Sequence, residues 1–245
     1  MRVSFYQLAF LGALSWAVGA SSWLTPSLHA QELGGSFVKA NLDLPFDAGA
    51  GEGEGEDEDA PEIIQFYGQT FEGDGTFVAI DRSGSMQNSG ELDIAKREVT
   101  RMITEFSDKA YFGIVFFDKQ ILKYPTSGRA AKANPSMKAG AISWVQTVAG
   151  GVGSCCQEGL IAALTFANSA PAKRKVVVYV GDGGGTCKGQ NEQTYLTATL
   201  AAFKGANFQR AQCNAIGVLE VGASQERFLR SLASSNSGSY TKVTR

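Results

Sequence analysis

The sequence predicts an α/β fold, an open and mostly parallel sheet with helices on both faces and one antiparallel edge strand. From residue 72 onward, short apolar runs alternate with segments whose apolar residues recur at three- and four-residue steps. The run at residues 176–180 is apolar throughout, which is typical of a strand buried on both faces of a parallel sheet. Such alternation of strands and helices indicates the Rossmann-like class of open sheets.

The predicted elements follow one another at short intervals. Strands are predicted at residues 77–80, 111–117, 120–124, 176–180, 215–221 and 239–243, and helices at 92–106, 139–148, 158–167, 193–203 and 225–233. The third strand follows its predecessor after a two-residue turn, so it pairs antiparallel at an edge. Ligands of such sheets bind at the carboxyl ends of the strands. The loops after Ile80, around Gly150 and after Val180 are therefore the candidate site.

The first 71 residues are predicted to precede this domain. Residues 1–30 carry Arg2, an apolar stretch and small residues, which indicates a secretory signal. Cleavage after Ala20 and cleavage after Ala30 both fit, and an uncleaved membrane anchor is the alternative. Residues 31–71 are predicted to be a disordered acidic tether rich in Gly and Glu, with seven acidic residues between positions 52 and 62. Residues 72–245 form the domain, which we expect to be exported to the periplasm, cell surface or medium.

Composition excludes several classes of function. The only histidine of the sequence, His29, lies in the predicted signal and outside the predicted domain, so we expect neither Ser-His-Asp nor HExxH chemistry there. From Glu72 to Arg245 there are 20 basic and 14 acidic residues. We interpret residues 173–175, a Lys-Arg-Lys triplet, as a solvated entry to the next strand, not a nucleic-acid site. No later segment approaches the length of a membrane span.

The loop after the first predicted strand carries a set of oxygen ligands. It reads Asp81-Arg82-Ser83-Gly84-Ser85, so one carboxylate and two hydroxyls occupy alternate positions. Mg²⁺ takes oxygen ligands in octahedral geometry and keeps several waters, so two or three protein ligands suffice. Alternatively, the serines cap the following helix and Asp81 is a turn residue.

These residues resemble the von Willebrand factor type A family and its metal-ion-dependent adhesion site. In that family a threonine from a glycine-rich loop and an aspartate after a later strand complete the site. Counting back from Gly159-Leu160 places Ser154 in the threonine position, and Asp182 matches the aspartate, although Gly181 stands where the family usually has threonine. The resemblance implies a metal site of five residues: Asp81, Ser83, Ser85, Ser154 and Asp182.

The four cysteines lie in the predicted domain. Adjacent residues are about 3.8 Å apart at Cα, so a Cys155–Cys156 bridge is disfavoured. Cys187 follows the Asp182 loop, at the same end of the sheet, so we expect it to pair with Cys155 or Cys156. Cys213 is expected at the opposite end and free. Four free thiols are the alternative.

The resemblance implies a binding module rather than an enzyme. A cation, Mg²⁺ or another divalent ion such as Mn²⁺ or Ca²⁺, would capture a carboxylate of a partner protein, with Arg82 flanking the incoming acid. One alternative is a metal-dependent hydrolase that uses a carboxylate such as Glu158 as its base. Another is a structural domain whose metal site is degenerate. The sequence specifies neither the partner nor an oligomeric state.

Overall fold

The structure is a computed structural model that describes residues 60–185, 187 and 189–243. The predicted signal and most of the predicted tether lie outside these residues. Within them the strands are Ile63–Phe66 (β1), Gln69–Glu72 (β2), Gly75–Asp81 (β3), Tyr111–Phe117 (β4), Ile121–Tyr124 (β5), Ala131–Lys132 (β6), Lys175–Gly181 (β7), Gln212–Val218 (β8) and Tyr240–Val243 (β9). The helices are Gly84–Asn88 (α1), Glu91–Glu105 (α2), Pro135–Thr147 (α3), Cys156–Ser169 (α4), Glu192–Ala206 (α5) and Ala223–Ser234 (α6).

The main sheet has the predicted architecture. Its strand order is β5-β4-β3-β7-β8-β9, and β6 adds a two-residue pairing with β4. The pairs β4–β3, β3–β7, β7–β8 and β8–β9 are parallel, whereas β5 and β6 run antiparallel to β4. The carboxyl ends of β3, β4 and β7 therefore meet at one edge of the sheet, which is where the candidate site was expected.

Alternate residues of the central strands face two separate cores. Val78 and Ile80 of β3 pack against apolar residues of α2 and α3. Phe77 and Ala79 face the other way, against α4, α5 and α6. All seven residues of β3 are buried, because helices cover both faces of the sheet at its centre. The central strand thus holds the loop that follows it in a fixed position.

The domain begins earlier than the sequence predicted. β1 and β2 form an antiparallel hairpin, and all of it except Glu72 falls inside the range 31–71, which was predicted to be tether. Its two-residue turn has positive φ at Tyr67 (52°) and Gly68 (70°), the type I′ geometry of tight hairpins. Ile64, Phe66 and Phe71 are buried in the same core as α2. The tether prediction was therefore wrong for this segment.

The last strands also differ slightly from the prediction. β8 ends at Val218 rather than at residue 221, because Leu219 takes a left-handed conformation with φ of 67° that extended pairing does not allow. β9 forms the predicted edge strand. Among the described residues, no helix combines the length and apolarity needed to cross a bilayer.

Candidate metal centre

The five predicted site residues lie together at the carboxyl edge of the sheet. Asp81 ends β3, and Ser83 and Ser85 follow at the start of α1. Ser154 lies in the loop before α4, and Asp182 follows β7. Asp81, Ser83 and Ser154 are buried, whereas Ser85 is exposed and Asp182 is half-buried. The cluster therefore opens to solvent on the side of Ser85 and Asp182.

Hydrogen bonds link these residues into one chain. Asp81 accepts from the backbone N–H of Ser83 at 2.7 Å with Oδ1 and from the hydroxyl of Ser154 at 3.0 Å with Oδ2. The hydroxyls of Ser83 and Ser85 lie 3.0 Å apart, and Ser85 donates to Asp182 Oδ2 at 2.9 Å. Ser83 occupies the N-cap position of α1 but its side chain makes no capping hydrogen bond. Its hydroxyl faces the cluster instead of the helix.

The electrostatics of the cluster favour a bound cation. Burial, and then the neighbouring charge of Asp182, raise the pKa of Asp81 to about 7, although hydrogen bonds from Ser83 and Ser154 act in the opposite direction. Within the described part of the chain, neither carboxylate is in an ion pair. Two carboxylates and three hydroxyls, with no cationic side chain paired to them, are a donor set that fits a hard divalent ion.

Arg82 does not flank the site as predicted. Its guanidinium turns into the protein and forms a buried ion pair with Asp118, with 2.6 Å between Nη2 and Oδ1. Nη1 donates to the carbonyl of Ala149 at 2.8 Å. Asp118 follows β4 at the same edge of the sheet, and pairing there satisfies a charge that would otherwise be buried alone. The prediction for Arg82 was wrong because an intramolecular carboxylate lies within its reach.

The same ion pair holds the glycine-rich loop. Asp118 Oδ2 accepts from the backbone N–H of Val152 at 2.9 Å, and the N–H of Gly151 donates to the carbonyl of Arg82 at 2.7 Å. A Cβ on Gly151 would overlap the Asp118 carboxylate, and one on Gly150 would overlap the side chain of Gln87. Glycine is required here by close approach, and the packed loop places Ser154 against Asp81.

Gly181 departs from the family pattern for a steric reason. A Cβ at this position would lie 2.8 Å from Asp81 Cβ and 2.9 Å from the hydroxyl oxygen of Tyr179. Tyr179 is fully buried, so its ring has no room to move away. In this chain the tyrosine hydroxyl takes space that a threonine side chain would need. Asp182 keeps its position at the strand end regardless.

The cysteines pair as the sequence predicted. Cys155 and Cys187 form a disulfide with a Cα–Cα distance of 4.8 Å, and Cys156 and Cys213 are buried free thiols. Cys155, Glu158 and Cys187 also form the one group of three possible metal-ligating side chains found by proximity among the described residues. Since both of its sulfurs are committed to the disulfide, this group is not a thiolate metal site. The bridge instead ties the Ser154 loop to the Asp182 loop.

Comparison with known proteins identifies the fold. No family model and no curated sequence matches the chain. A von Willebrand factor type A protein from Catenulispora acidiphila superposes with a TM-score of 0.60 at 20% identity, over 76% of this chain and 46% of that one. The chain has a von Willebrand factor type A fold.

Two pilus proteins have the same fold. The pilus adhesin SpaC from Lactobacillus rhamnosus GG matches with a TM-score of 0.55 at 14% identity, over 76% of this chain and 29% of that one. The von Willebrand factor domain of a type V pili tip protein from Porphyromonas gingivalis matches with a TM-score of 0.54 at 12% identity, over 74% of this chain and 90% of that one. This chain thus spans less than half of the first two matched proteins.

Two residues of the site were missed from the sequence. Asp118 was interpreted only as part of a turn, although an acid directly after a buried strand at this edge was a usable signal. Glu192 begins α5, and its Oε1 accepts from Gln225 Nε2 at 3.0 Å and lies 3.4 Å from the backbone N of Gly185. No spacing in the sequence connects Glu192 to the Asp182 loop, so only the folded chain shows the contact.

Proposed function

We propose that this domain captures a partner protein through a divalent cation that bridges the domain to a carboxylate of the partner. Mg²⁺ is the first choice for the ion, with Mn²⁺ and Ca²⁺ as alternatives. The observation that carries the proposal is the hydrogen-bonded cluster at the carboxyl edge of the sheet. Its members are Asp81, Ser83, Ser85, Ser154 and Asp182.

The chemistry of the cluster supports capture of an anion. Three of its five donors are neutral hydroxyls, so the two carboxylates of Asp81 and Asp182 are the only protein charges against a divalent ion. A cation bound there supplies a Lewis-acidic centre with coordination positions left for water or an external carboxylate. The half-buried Asp182 and exposed Ser85 leave the outer side of the cluster accessible. A partner approaching from solvent can therefore reach it.

Binding is favoured over catalysis by the surroundings of Glu158. This residue was the sequence-based candidate for a general base, but its Oε2 accepts from the hydroxyl of Tyr195 at 2.7 Å, beside the disulfide. A carboxylate engaged in this way is poorly placed to activate water at the cluster. Matched proteins described as a pilus adhesin and a pilus tip protein support a binding role and an exported location.

Calorimetric titration of the full chain with Mg²⁺ tests the metal site. We expect Asp182→Ala to lower Mg²⁺ affinity at least tenfold without unfolding the protein, because a loop carboxylate contributes more to the ion than to the core. Asp108→Ala is the matched control, since Asp108 is an exposed acid at the opposite end of the sheet. Equal Mg²⁺ affinity in wild type and Asp182→Ala would remove Asp182 from the site.

Capture of the partner is tested on the same proteins. The immobilised chain is incubated with an extract of the native cell envelope and medium in Mg²⁺ and is then eluted with a chelator. We expect a protein that elutes with chelator from wild type and the Asp108→Ala control, and not from Asp182→Ala. Metal binding without any chelator-dependent capture would favour a structural role for the ion.

A further inference from the structure

One apolar side chain is exposed beside the metal centre. Val152 lies two residues before Ser154 and is 67% exposed. Among the described residues, the other large apolar side chains with similar exposure are Ile63 and Phe208. Ile63 starts the N-terminal hairpin, and Phe208 lies between α5 and β8, at the amino ends of the strands. Of these three exposed side chains, Val152 is the one that lies at the carboxyl edge of the sheet, beside the proposed metal site.

Val152 is held in this exposed position by buried contacts. Its backbone N–H donates to Asp118, which is paired with Arg82, and the preceding residue, Gly151, donates to the Arg82 carbonyl. A loop fixed by a buried ion pair does not collapse to cover an apolar side chain. The fold therefore presents Val152 to solvent in a defined position, while Ser154 of the same loop faces Asp81.

The two sides of the metal centre differ in charge. On the Val152 side, the methylenes of Lys119 lie against Gly153, since a Cβ on Gly153 would be 3.0 Å from Lys119 Cε. On the other side, a Cβ on Gly184 would be 3.1 Å from Asp182 Oδ1 and 3.8 Å from Glu192 Oε1. A segment carrying a carboxylate is attracted to the first side and repelled by the second.

We propose that Val152 and Lys119 select the partner, and that the partner segment carries an aliphatic residue directly beside its metal-binding acid. The acid binds at the cation, the aliphatic side chain packs on Val152, and the segment continues past Lys119, away from Glu192. This inference rests on the proposed function. It adds the chemical class of the segment and the direction in which it crosses the domain.

A peptide library provides the test. The probe is a set of synthetic nine-residue peptides with a fixed central Asp and all other positions randomised without Asp, Glu or Cys, captured on the immobilised full chain in Mg²⁺. We expect Val, Ile and Leu to be enriched next to the Asp. Val152→Ser should reduce capture of these peptides about tenfold, because one buried aliphatic contact is lost, and should leave the Mg²⁺ affinity unchanged. Phe208→Ser is the matched control and should keep the preference.

The charge of Lys119 is tested separately. Lys119→Glu should weaken capture several-fold at low ionic strength and less at 0.5 M salt, because salt screens exposed charges. Lys204→Glu, at the far end of α5, is the control and should leave capture unchanged. Equal effects of Lys119→Glu and Lys204→Glu would indicate a general charge effect and overturn the assignment of Lys119.

The outcomes separate this inference from the function on which it rests. Mg²⁺-dependent capture without an aliphatic preference, or with a preference that Val152→Ser retains, overturns the inference and leaves metal-mediated capture standing. If wild type binds Mg²⁺ but captures no Asp peptide that a chelator releases, the proposed function fails, and the selection rule fails with it.

Discussion

Among single residues, Asp81 is the one through which the proposed metal binding would act most directly on the stability of the fold. Its carboxyl is fully buried, and burial together with the charge of Asp182 raises its pKa to about 7 from an ordinary value of 3.8. At a pH between these two pKa values, the Asp81 carboxyl of the folded, metal-free chain holds a proton that the unfolded chain has released. Ionising this group is therefore unfavourable in the fold unless a cation is present.

This coupling predicts a pH dependence for the metal-free protein. Because the folded state binds more protons than the unfolded state between about pH 4 and 7, the contribution of Asp81 to the free energy of unfolding falls as pH rises through that range and levels off above it. Thermal unfolding in chelator at pH 5 and pH 8 measures it. We expect added Mg²⁺ to raise the Tm more at pH 8 than at pH 5.

Asp81→Asn is the control for this prediction. An amide does not titrate, so the difference in Tm between pH 5 and pH 8 should shrink in the variant, and the response to Mg²⁺ should be lost. The assignment to Asp81 would be contradicted if, without metal, the Tm of the wild type rose from pH 5 to pH 8 by the same amount as the Tm of Asp81→Asn.

Single residues also show what the sequence can and cannot specify. Asp81, Ser83, Ser85 and Asp182 were predictable as neighbours, because they lie at or just after the ends of buried strands that finish at one edge of a parallel sheet. The reason for Gly181 was not, since it depends on where the hydroxyl of Tyr179 lies. The predicted role of Arg82 beside the incoming acid was wrong for a similar reason, because its ion-pair partner Asp118 follows a different strand.

Between the secondary-structure elements, the disulfide joins the two loops that carry Ser154 and Asp182 of the candidate metal centre. Cys155 precedes α4 and follows Ser154 directly, while Cys187 lies in the segment between β7 and α5 that also holds Asp182. The bridge closes a sequence separation of 32 residues, for which the chain-entropy model gives roughly 3–4 kcal/mol of stabilisation. It also limits how far the two loops can move apart.

The bridge therefore predicts a redox dependence of metal affinity. We expect Cys155→Ser/Cys187→Ser to lower the Tm and to weaken Mg²⁺ binding several-fold, because Ser154 and Asp182 are then held by separate loops. Calorimetry at a temperature where both proteins are folded separates the two effects. As a control, a reductant should change the wild type in the same direction and leave the double variant unchanged. Unaltered Mg²⁺ affinity in the folded double variant would show that the loops are positioned without the bridge.

The elements that the sequence predicted well are those with long buried runs. β3, β4 and β7 are covered on both faces, so each forms a continuous apolar run, and such runs locate strands in the sequence. β6 pairs over only two residues, and the β1–β2 hairpin lies outside the main sheet directly after the acidic run. Its Tyr-Gly turn was a hairpin signal, but the neighbouring glycines and acids favoured the tether interpretation.

At the level of the whole molecule, the N-terminal hairpin is part of the folded unit. Phe66 is fully buried against the core that contains α2, whereas Ile63 on the same strand is 67% exposed. The N–H of Tyr67 also donates to Glu98 Oε2 at 2.8 Å. The hairpin covers apolar surface that a domain starting at residue 72 would expose to water.

This arrangement predicts unequal costs for two substitutions on one strand. Phe66→Ala should reduce the free energy of unfolding by roughly 3–5 kcal/mol, because it leaves a cavity in the core. Ile63→Ala should change it by no more than about 0.5 kcal/mol. Urea unfolding of both variants in Mg²⁺ measures the difference. Similar midpoints for the two would show that the hairpin does not pack on the domain in solution.

The central strand β3 runs from Gly75, which follows the N-terminal hairpin, to Asp81 in the candidate metal centre. If the domain captures a partner at a cation, as proposed, a pull between the segment before Ala60 and that partner would pass through the β1–β2 hairpin and then along this strand. β3 is paired with β4 on one side and with β7 on the other, over nearly its whole length. Within the sheet such a load stretches the hydrogen bonds of β3 in shear together, whereas the β1–β2 hairpin, whose end residues Ile63 and Glu72 are directly paired, opens one bond at a time, so tension would release the hairpin before the sheet.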